Sequence, residues 1–324
     1  MSDFDRAVQT SPPAKLNLFL ELLAKREDGF HEIDTVMIPI DLRDEMKVWR
    51  TTEEQIQLRV RWLPSKQIVA QRLGVDEAAQ LLQIPEDETN LVCRALSAFK
   101  GRFGIQGGFG CDLQKRIPAG AGMGGASSDA ASALLSAAEL CAVPKGASEL
   151  LDIAASLGSD IPFFMGIDGK PLRAARAQGR GELINSITVN LPLHFVLVYP
   201  NESLSTAKVY AHSNVPAQPG TAEPIIAALT SGDLAGLRAH LSNRLAQPAK
   251  KNLPRIDEIL QVLWRSGLPA CQLTGSGSTC FAVANNAVHA KTASLKLRSM
   301  LEPGAFVTHV SAATVPAKLL PSRI

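Results

Sequence analysis

The sequence predicts an α+β protein of two domains, and three observations carry that reading: strand-like alternation through the first part of the chain, a strand, glycine loop and helix junction before its middle, and a β-α-β-β-α-β succession after residue 190. With 324 residues, 46% of them hydrophobic and 20% charged, the chain has the length and composition for two globular units of about 150 residues each. The division is expected at 1–190 and 191–324.

In the first unit, Leu16, Leu18, Leu20 and Leu22 alternate with Lys15, Asn17, Phe19 and Glu21, so one strand carries Lys15 and Asn17 on a common face. Residues 35–49 and 55–62 read as further strands, the latter with Ile56, Leu58, Val60 and Trp62 on one side. A helix is expected over 65–84, interrupted at Gly74, and another over 89–102, opened by capping residues and closed near Gly104. Alternation returns from Phe109 to Lys115, and two helices follow at 127–141 and 147–157. In the second unit the pattern predicts a strand at 194–199, helices at 223–229, 233–245 and 254–266, two short strands flanking Gly275-Ser276-Gly277, a helix at 287–301 and a strand at 305–312. The Pro- and Gly-containing stretch 213–221 reads as a mobile surface connection.

The most specific local signal is Pro118-Ala119-Gly120-Ala121-Gly122-Met123-Gly124-Gly125-Ala126-Ser127-Ser128, between the 109–115 strand and an alanine-rich helix. Glycines allow the backbone to approach a ligand closely, and free N–H groups at a helix start favour an anion. A Walker A loop would need a Lys followed by Ser or Thr, which is missing, and a dinucleotide fingerprint lacks its βαβ setting and downstream acid. A tight turn before a close-packed helix is the competing reading. Asp129 suits the helix dipole but would repel a phosphate, so it is expected to point away from one.

Phosphoryl transfer also needs a placed cation and an acceptor for the hydroxyl proton. In Gly158-Ser159-Asp160-Ile161-Pro162, Asp160 stands at a helix exit beside an apolar stretch, and Lys15 is the candidate cation. Taken singly, Asp160 fits a turn acid and Lys15 a solvated surface lysine.

A formal charge of +2 gives no electrostatic footprint for nucleic acid. Cys93, Cys111, Cys141, Cys271 and Cys280 are odd in number and widely spaced, as reduced core residues would be. No apolar run reaches the roughly 18 residues of a membrane span, and residues 1–12 do not resemble a signal peptide. A cytoplasmic location with no membrane partner is therefore expected; oligomeric state is not legible.

The glycine loop resembles the phosphate loop of the GHMP kinases, with Met123 in place of the usual leucine. Within that family, Pro12-Pro13-Ala14-Lys15-Leu16-Asn17, Gly29-Phe30-His31, Asn90-Leu91, Gly158 to Phe164, Gly179-Arg180-Gly181-Glu182 and Leu273-Thr274-Gly275-Ser276-Gly277 resemble the branch that phosphorylates a CDP-linked methylerythritol on the non-mevalonate route to isoprenoids. The resemblance covers nearly the whole chain. It implies the two-domain GHMP kinase fold, with an N-terminal ribosomal protein S5 domain 2-like α/β domain and a C-terminal ferredoxin-like split βαβ domain.

The same resemblance implies Lys15 and Asp160 as the catalytic pair, ATP and Mg²⁺ as cofactors, and a small CDP-linked polyol as substrate. The loop from Pro118 to Ser128 would hold the nucleotide, with Ser127 or Ser128 on a phosphate oxygen or the metal and Asn90 and Lys115 beside the adenine. Asn17, His31, Gly275 and Gly277 would meet the substrate, and Phe30 and Tyr210 would clamp its base. The family usually has tyrosine at the position of Phe30, and residues 65–84 are longer than its matching region; a surface helix on the N-terminal sheet is expected there. Two other readings are a GHMP kinase for a different small alcohol, such as homoserine or mevalonate, and a catalytically silent nucleotide-binding protein.

Overall fold

A computed structural model describes residues 6–73, 75–78, 82–301, 304–313 and 320–323. The N-terminal part runs β1 (Arg6–Thr10), β2 (Pro13–Lys25), β3 (His31–Arg43), β4 (Glu45–Thr51), β5 (Ile56–Trp62), α1 (Lys66–Leu73), α2 (Leu91–Phe103), β6 (Gly108–Lys115), α3 (Gly125–Leu140), α4 (Ser148–Leu157), α5 (Ile161–Met165), β7 (Ala175–Gly179) and β8 (Leu183–Ser186). It continues with β9 (His194–Tyr199), α6 (Thr206–Ala211), α7 (Glu223–Ser231), α8 (Leu234–Ala239), β10 (Ser242–Asn243), α9 (Ala246–Asn252), α10 (Arg255–Arg265), β11 (Cys271–Leu273), β12 (Cys280–Val283), α11 (Ala287–Met300), β13 (Phe306–Ser311) and β14 (Leu320–Arg323).

Three sheets organise these elements. The first has the order β14-β1-β4-β6-β5, the second β10-β2-β3-β7-β8, and the third β11-β12-β9-β13. In the third, all pairs are antiparallel and β9, first of its strands in chain order, lies between the third and fourth, the arrangement of a ferredoxin-like split βαβ unit. Its strands alternate between two cores. Phe195, Leu197, Tyr199, Phe281 and Val283 pack toward Leu16, Leu18 and Ile38 of the second sheet, whereas Val196, Val198, Cys280 and Ala282 pack under the helices carrying Ile256, Ile259 and Leu297.

A separate core joins the first sheet to α2, α3 and α4, through Val48, Phe109 and Cys111 against Phe99, Ala130 and Leu134. The small side chains of α3 let it sit close to the sheet. Asn90 caps α2 by accepting the Val92 N–H, and Gly104 ends it in the left-handed region at φ 62°, as the capping residues predicted. None of the five cysteines forms a disulfide.

Several sequence expectations change in the structure. The single strand expected over 35–49 is two strands separated at Asp44, whose buried carboxylate turns aside to accept the Arg116 and Ile117 N–H groups at 2.5 and 2.9 Å. The helix expected over 65–84 is only Lys66–Leu73; residues 74 and 79–81 lie outside the described residues. Ala70 and Leu82 pack with Trp62 of β5 and Phe306 of β13, so this segment does cover the end of the N-terminal sheet. The helix expected over 233–245 stops at Ala239, because Ser242 and Asn243 pair in parallel with Phe19 and Leu20 instead. The hairpin of β7 and β8, the helices α6 and α9, and the terminal strands β1 and β14 carried too few repeats to be read.

The connection 213–221 contains no helix or strand, and near its end Gly220 donates its N–H to Glu21 at 3.1 Å. Glu21 is 2% exposed and also accepts the Arg244 guanidinium at 2.6 and 2.7 Å. Burial alone would raise this carboxyl; Arg244 and the amides of Leu22 and Gly220 outweigh it and hold the group below the ordinary glutamate value. A depressed value in the folded protein contributes stability above the unfolded value and loses it as pH falls through the folded one. Arg244→Ala should therefore lower unfolding stability by about 2 kcal/mol at about pH 7, less than a fully buried pair because Arg244 is part-exposed, with the deficit shrinking toward about pH 3. Urea unfolding of both proteins across that range measures it.

Candidate functional site

One cavity of about 840 Å³ runs between the second sheet, the glycine loop and the Gly275 turn. Its wall includes Lys15, Asn17, Phe30, His31, Asn90, Lys115, the loop from Pro118 to Ser127, Asp160, Tyr210 and Gly275. Of the residues singled out from sequence, Ser128 and Gly277 are not on the wall. Ser128 is fully buried, its N–H donating to the Gly124 carbonyl at 2.9 Å and its Oγ without a hydrogen-bond partner. Gly277 backs onto Leu204 and Leu273.

The centre of the cavity is set by β2. Its polar face is covered, so Lys15 is 3% exposed, contrary to the surface position that its residue type alone suggests. A buried ammonium requires oxygen partners. Lys15 Nζ donates to Asn17 Oδ1 at 2.5 Å and lies 3.5 Å from Asp160 Oδ2. Asp160 occupies the position preceding α5, yet its side chain makes no capping bond, and it faces Lys15 instead. Asp160 lies in the turn that opens α5, but its carboxylate does not cap the helix and stands on the cavity wall.

Asn17 is held on every side. It donates from Nδ2 to Thr35 at 2.9 Å and from its backbone to Thr274 Oγ1 at 3.0 Å, while Thr274 Oγ1 lies 3.3 Å from its Oδ1. Its side chain orients Lys15 as well as lining the cavity. Asn243 completes this frame by donating from Nδ2 to the Leu273 and Gly275 carbonyls, both at 2.8 Å. Sequence reading passed over Asn243 because it fell inside an expected helix.

The glycine loop is clamped from two sides. Lys15 N–H donates to the Met123 carbonyl at 2.9 Å, and Thr279 N–H donates to the Ala121 carbonyl at 3.2 Å. A Cβ at Gly122 would stand 2.6 Å from the Gly277 carbonyl oxygen, and one at Gly124 would stand 3.0 Å from the Phe164 ring and 3.1 Å from Lys15 Cγ. Both glycines have positive φ, 76° and 71°. The loop fits a phosphate-bearing ligand: it is side-chain-poor, it opens the 16-residue helix α3, and Ser127 stands on the cavity wall at that end.

Lys115 and Asp129 meet beneath the loop. The Lys115 ammonium binds Asp129 at 2.6 Å and also binds Asp44, all three groups being buried. Burial would lower the Lys115 value, but the Asp129 and Asp44 charges raise it well above that of a free lysine. Burial raises the Asp129 carboxyl, against the pull of the Lys115 ammonium and with a further push from Asp44. Asp129, expected to point away from a phosphate, pairs its carboxylate with Lys115, yet the residue also lines the cavity, and Lys115 is a braced structural charge at the same wall. Asn90 likewise commits its amide to Pro85 and its cap to Val92.

At the far end, the His31 and Tyr210 rings lie 5.3 Å apart, centroid to centroid, and the Arg180 guanidinium stands 5.2 Å from the centre of the half-exposed Phe30 ring. Burial, followed by the positive charge of Lys25, lowers the His31 value, which leaves a neutral imidazole able both to donate and to accept at neutral pH. Burial and then the Asp160 charge raise that of the Tyr210 hydroxyl. Arg180 had appeared in sequence only as a residue between two glycines. Among the described residues there is no group of three or more His, Cys, Asp or Glu side chains placed to hold a metal ion, and no helix long and apolar enough to cross a membrane.

Lys115→Met would leave two buried carboxylates without their cation. It should cost about 3–5 kcal/mol of stability, measured by urea unfolding, and the added change Asp129→Asn should recover part of the loss.

Two family descriptions match the chain: GHMP kinases N terminal domain over residues 90–166 and GHMP kinases C terminal over residues 225–303. A 4-diphosphocytidyl-2-C-methyl-D-erythritol kinase from Rhodopirellula baltica is 46% identical over 97% of this chain and 98% of its own length. The crystal structure of a 4-(cytidine 5'-diphospho)-2C-methyl-D-erythritol kinase superposes with a TM-score of 0.70 at 30% identity, covering 94% of this chain and 99% of the other. A homoserine kinase from Cytophaga hutchinsonii shares the fold with the same TM-score of 0.70, at 15% identity over 97% of each chain. The chain is a small-molecule kinase and belongs to the GHMP kinases, in the 4-diphosphocytidyl-2-C-methyl-D-erythritol kinase family.

Proposed function

We propose that the protein transfers the γ-phosphoryl group of ATP to the 2-hydroxyl of 4-diphosphocytidyl-2-C-methyl-D-erythritol. The observation that carries this reading is the meeting of Lys15 and Asp160 at 3.5 Å on the wall that also holds the glycine loop. Asp160 accepts the proton of the substrate hydroxyl, and Lys15 keeps the carboxylate and the hydroxyl in register. Asn17 keeps Lys15 in place. Backbone around Gly120 to Gly125 and the Ser127 hydroxyl receive the nucleotide phosphates, with Asn90 and Lys115 at the adenine end. When bound, ATP with Mg²⁺ supplies the phosphoryl group and charge neutralisation. A magnesium ion would come with the nucleotide phosphates, with Ser127 as its protein hydroxyl; Ser127 is favoured over Ser128 because it reaches the cavity.

For the cytidine end, His31 reads the base edge and Phe30 and Tyr210 flank the base, stacking being worth about 1–3 kcal/mol per ring. Phe30 stacks without offering a hydroxyl. Gly275 brings backbone close to Lys15, where a Cβ would stand 3.2 Å from Nζ, and Gly277 shapes that turn from behind. The division of the chain near residue 190 is part of the same reading, although β10 of the second unit joins the sheet of β2. So is a cytoplasmic setting, which cysteines free of disulfides suit.

Purified protein supplied with ATP and Mg²⁺ should release ADP with the CDP-linked polyol and not with homoserine or mevalonate; turnover of either of those two alone would overturn the reading. Asp160→Asn should lower kcat by about 10²- to 10⁴-fold with ATP affinity changed less than about twofold, measured by coupled ADP assay and nucleotide titration.

A further inference from the structure

A CDP-linked substrate spans the cavity from the ring end, at Phe30, His31 and Tyr210, to the acceptor end, at Lys15 and Asp160. Its diphosphate, with two negative charges, must lie between them. Four basic side chains line the cavity: Lys15, Lys25, Lys115 and Arg180. Two are already matched, Lys15 by Asp160 and Lys115 by Asp44 and Asp129. Neither Lys25 nor Arg180 forms a direct ion pair with a described residue, although the Arg180 charge acts on the exposed carboxylate of Asp28; Lys25 is exposed at the end of β2.

Arg180 stands on the tight turn between β7 and β8, and that turn is braced. The Arg180 N–H donates to Glu182 at 2.6 Å, and the Gly181 N–H to the Gln178 carbonyl at 3.0 Å. Gly179 and Gly181 both have positive φ, 71° and 124°, and a Cβ at Gly181 would stand 3.1 Å from the Ser159 carbonyl oxygen. The backbone of the turn thus abuts the residue preceding Asp160, while the guanidinium reaches the Phe30 ring at 5.2 Å. Arg180 therefore bridges the two ends of the cavity, and it presents a planar donor fork of the kind that grips phosphate oxygens in pairs.

We infer that Arg180 is a substrate-specificity residue that binds the diphosphate of the cytidine nucleotide and so selects a CDP-linked alcohol over an uncharged one. This rests on the reading of the cavity as a CDP-linked polyol site. Arg180 takes no part in proton transfer.

The test is calorimetric binding of cytidine and of CDP to the intact protein and to Arg180→Gln. The wild-type protein should bind CDP more tightly than cytidine, and Arg180→Gln should weaken CDP by about 10- to 100-fold while changing cytidine by less than about twofold. Arg180→Lys should recover part of the CDP affinity, and in turnover the KM for the CDP-linked polyol should rise with the KM for ATP unchanged. An equal loss for cytidine and CDP would overturn the inference in favour of support to the Phe30 ring, and an unchanged CDP affinity would overturn it outright. Wild-type protein that binds neither compound would overturn the underlying substrate reading as well.

Discussion

A lysine ammonium shut away from water must be met by oxygens, and the whole active end of this protein follows from how Lys15 meets that requirement. Its partners come from two places: Asn17 two residues along the same strand and Asp160 before α5. The backbone of the same residue holds the glycine loop through Met123, and its ammonium sits against Gly275. One residue, through its backbone and its side chain, therefore fixes the spacing of Asp160, the glycine loop and the turn from the C-terminal sheet. The surrounding polar frame of Asn17, Thr35, Thr274 and Asn243 leaves Lys15 little freedom to move.

A second buried cation works differently. Lys115 is enclosed by two carboxylates and supports the loop from below. Breaking a pair of this kind costs more than making it gains, because a charge would be left in low dielectric. The two lysines divide the labour: Lys15 keeps one face toward the cavity and a part-exposed acid, whereas Lys115 is neutralised by groups of the fold. Preorganised charge of the first kind is what phosphoryl transfer uses, since there is little covalent work for the protein to do.

Much of this was legible in the sequence where a short pattern fixes a backbone. The glycine loop, the cap at Asn90, the strand of Lys15 and the β-α-β-β-α-β order all depend on local rules of turn, cap and period, and they stand in the structure as read. Lys15 and Asp160 are 145 positions apart, and nothing local joins them; the chemistry of phosphoryl transfer suggested them as cation and acid, and the resemblance to a family made them a pair. What escaped reading was set by long-range partners. Asp44 breaks a strand to serve the Arg116 and Ile117 amides, and Asn243 leaves a helical pattern to bond the Gly275 turn. Arg180 matters because a hairpin places it between Phe30 and Ser159, and a five-residue strand leaves almost no periodic trace.

The central claim is that the acceptor hydroxyl is bound between Lys15 and Asp160, at the open face of the loop. The direct measurement is a crystal structure of the protein with an unreactive ATP analogue and the CDP-linked polyol. The account predicts the 2-hydroxyl oxygen within about 3 Å of the Asp160 carboxylate and facing a terminal phosphate held over Gly120 to Ser127. A substrate bound with that hydroxyl turned away from Asp160, or a nucleotide seated elsewhere than on the loop, would contradict it.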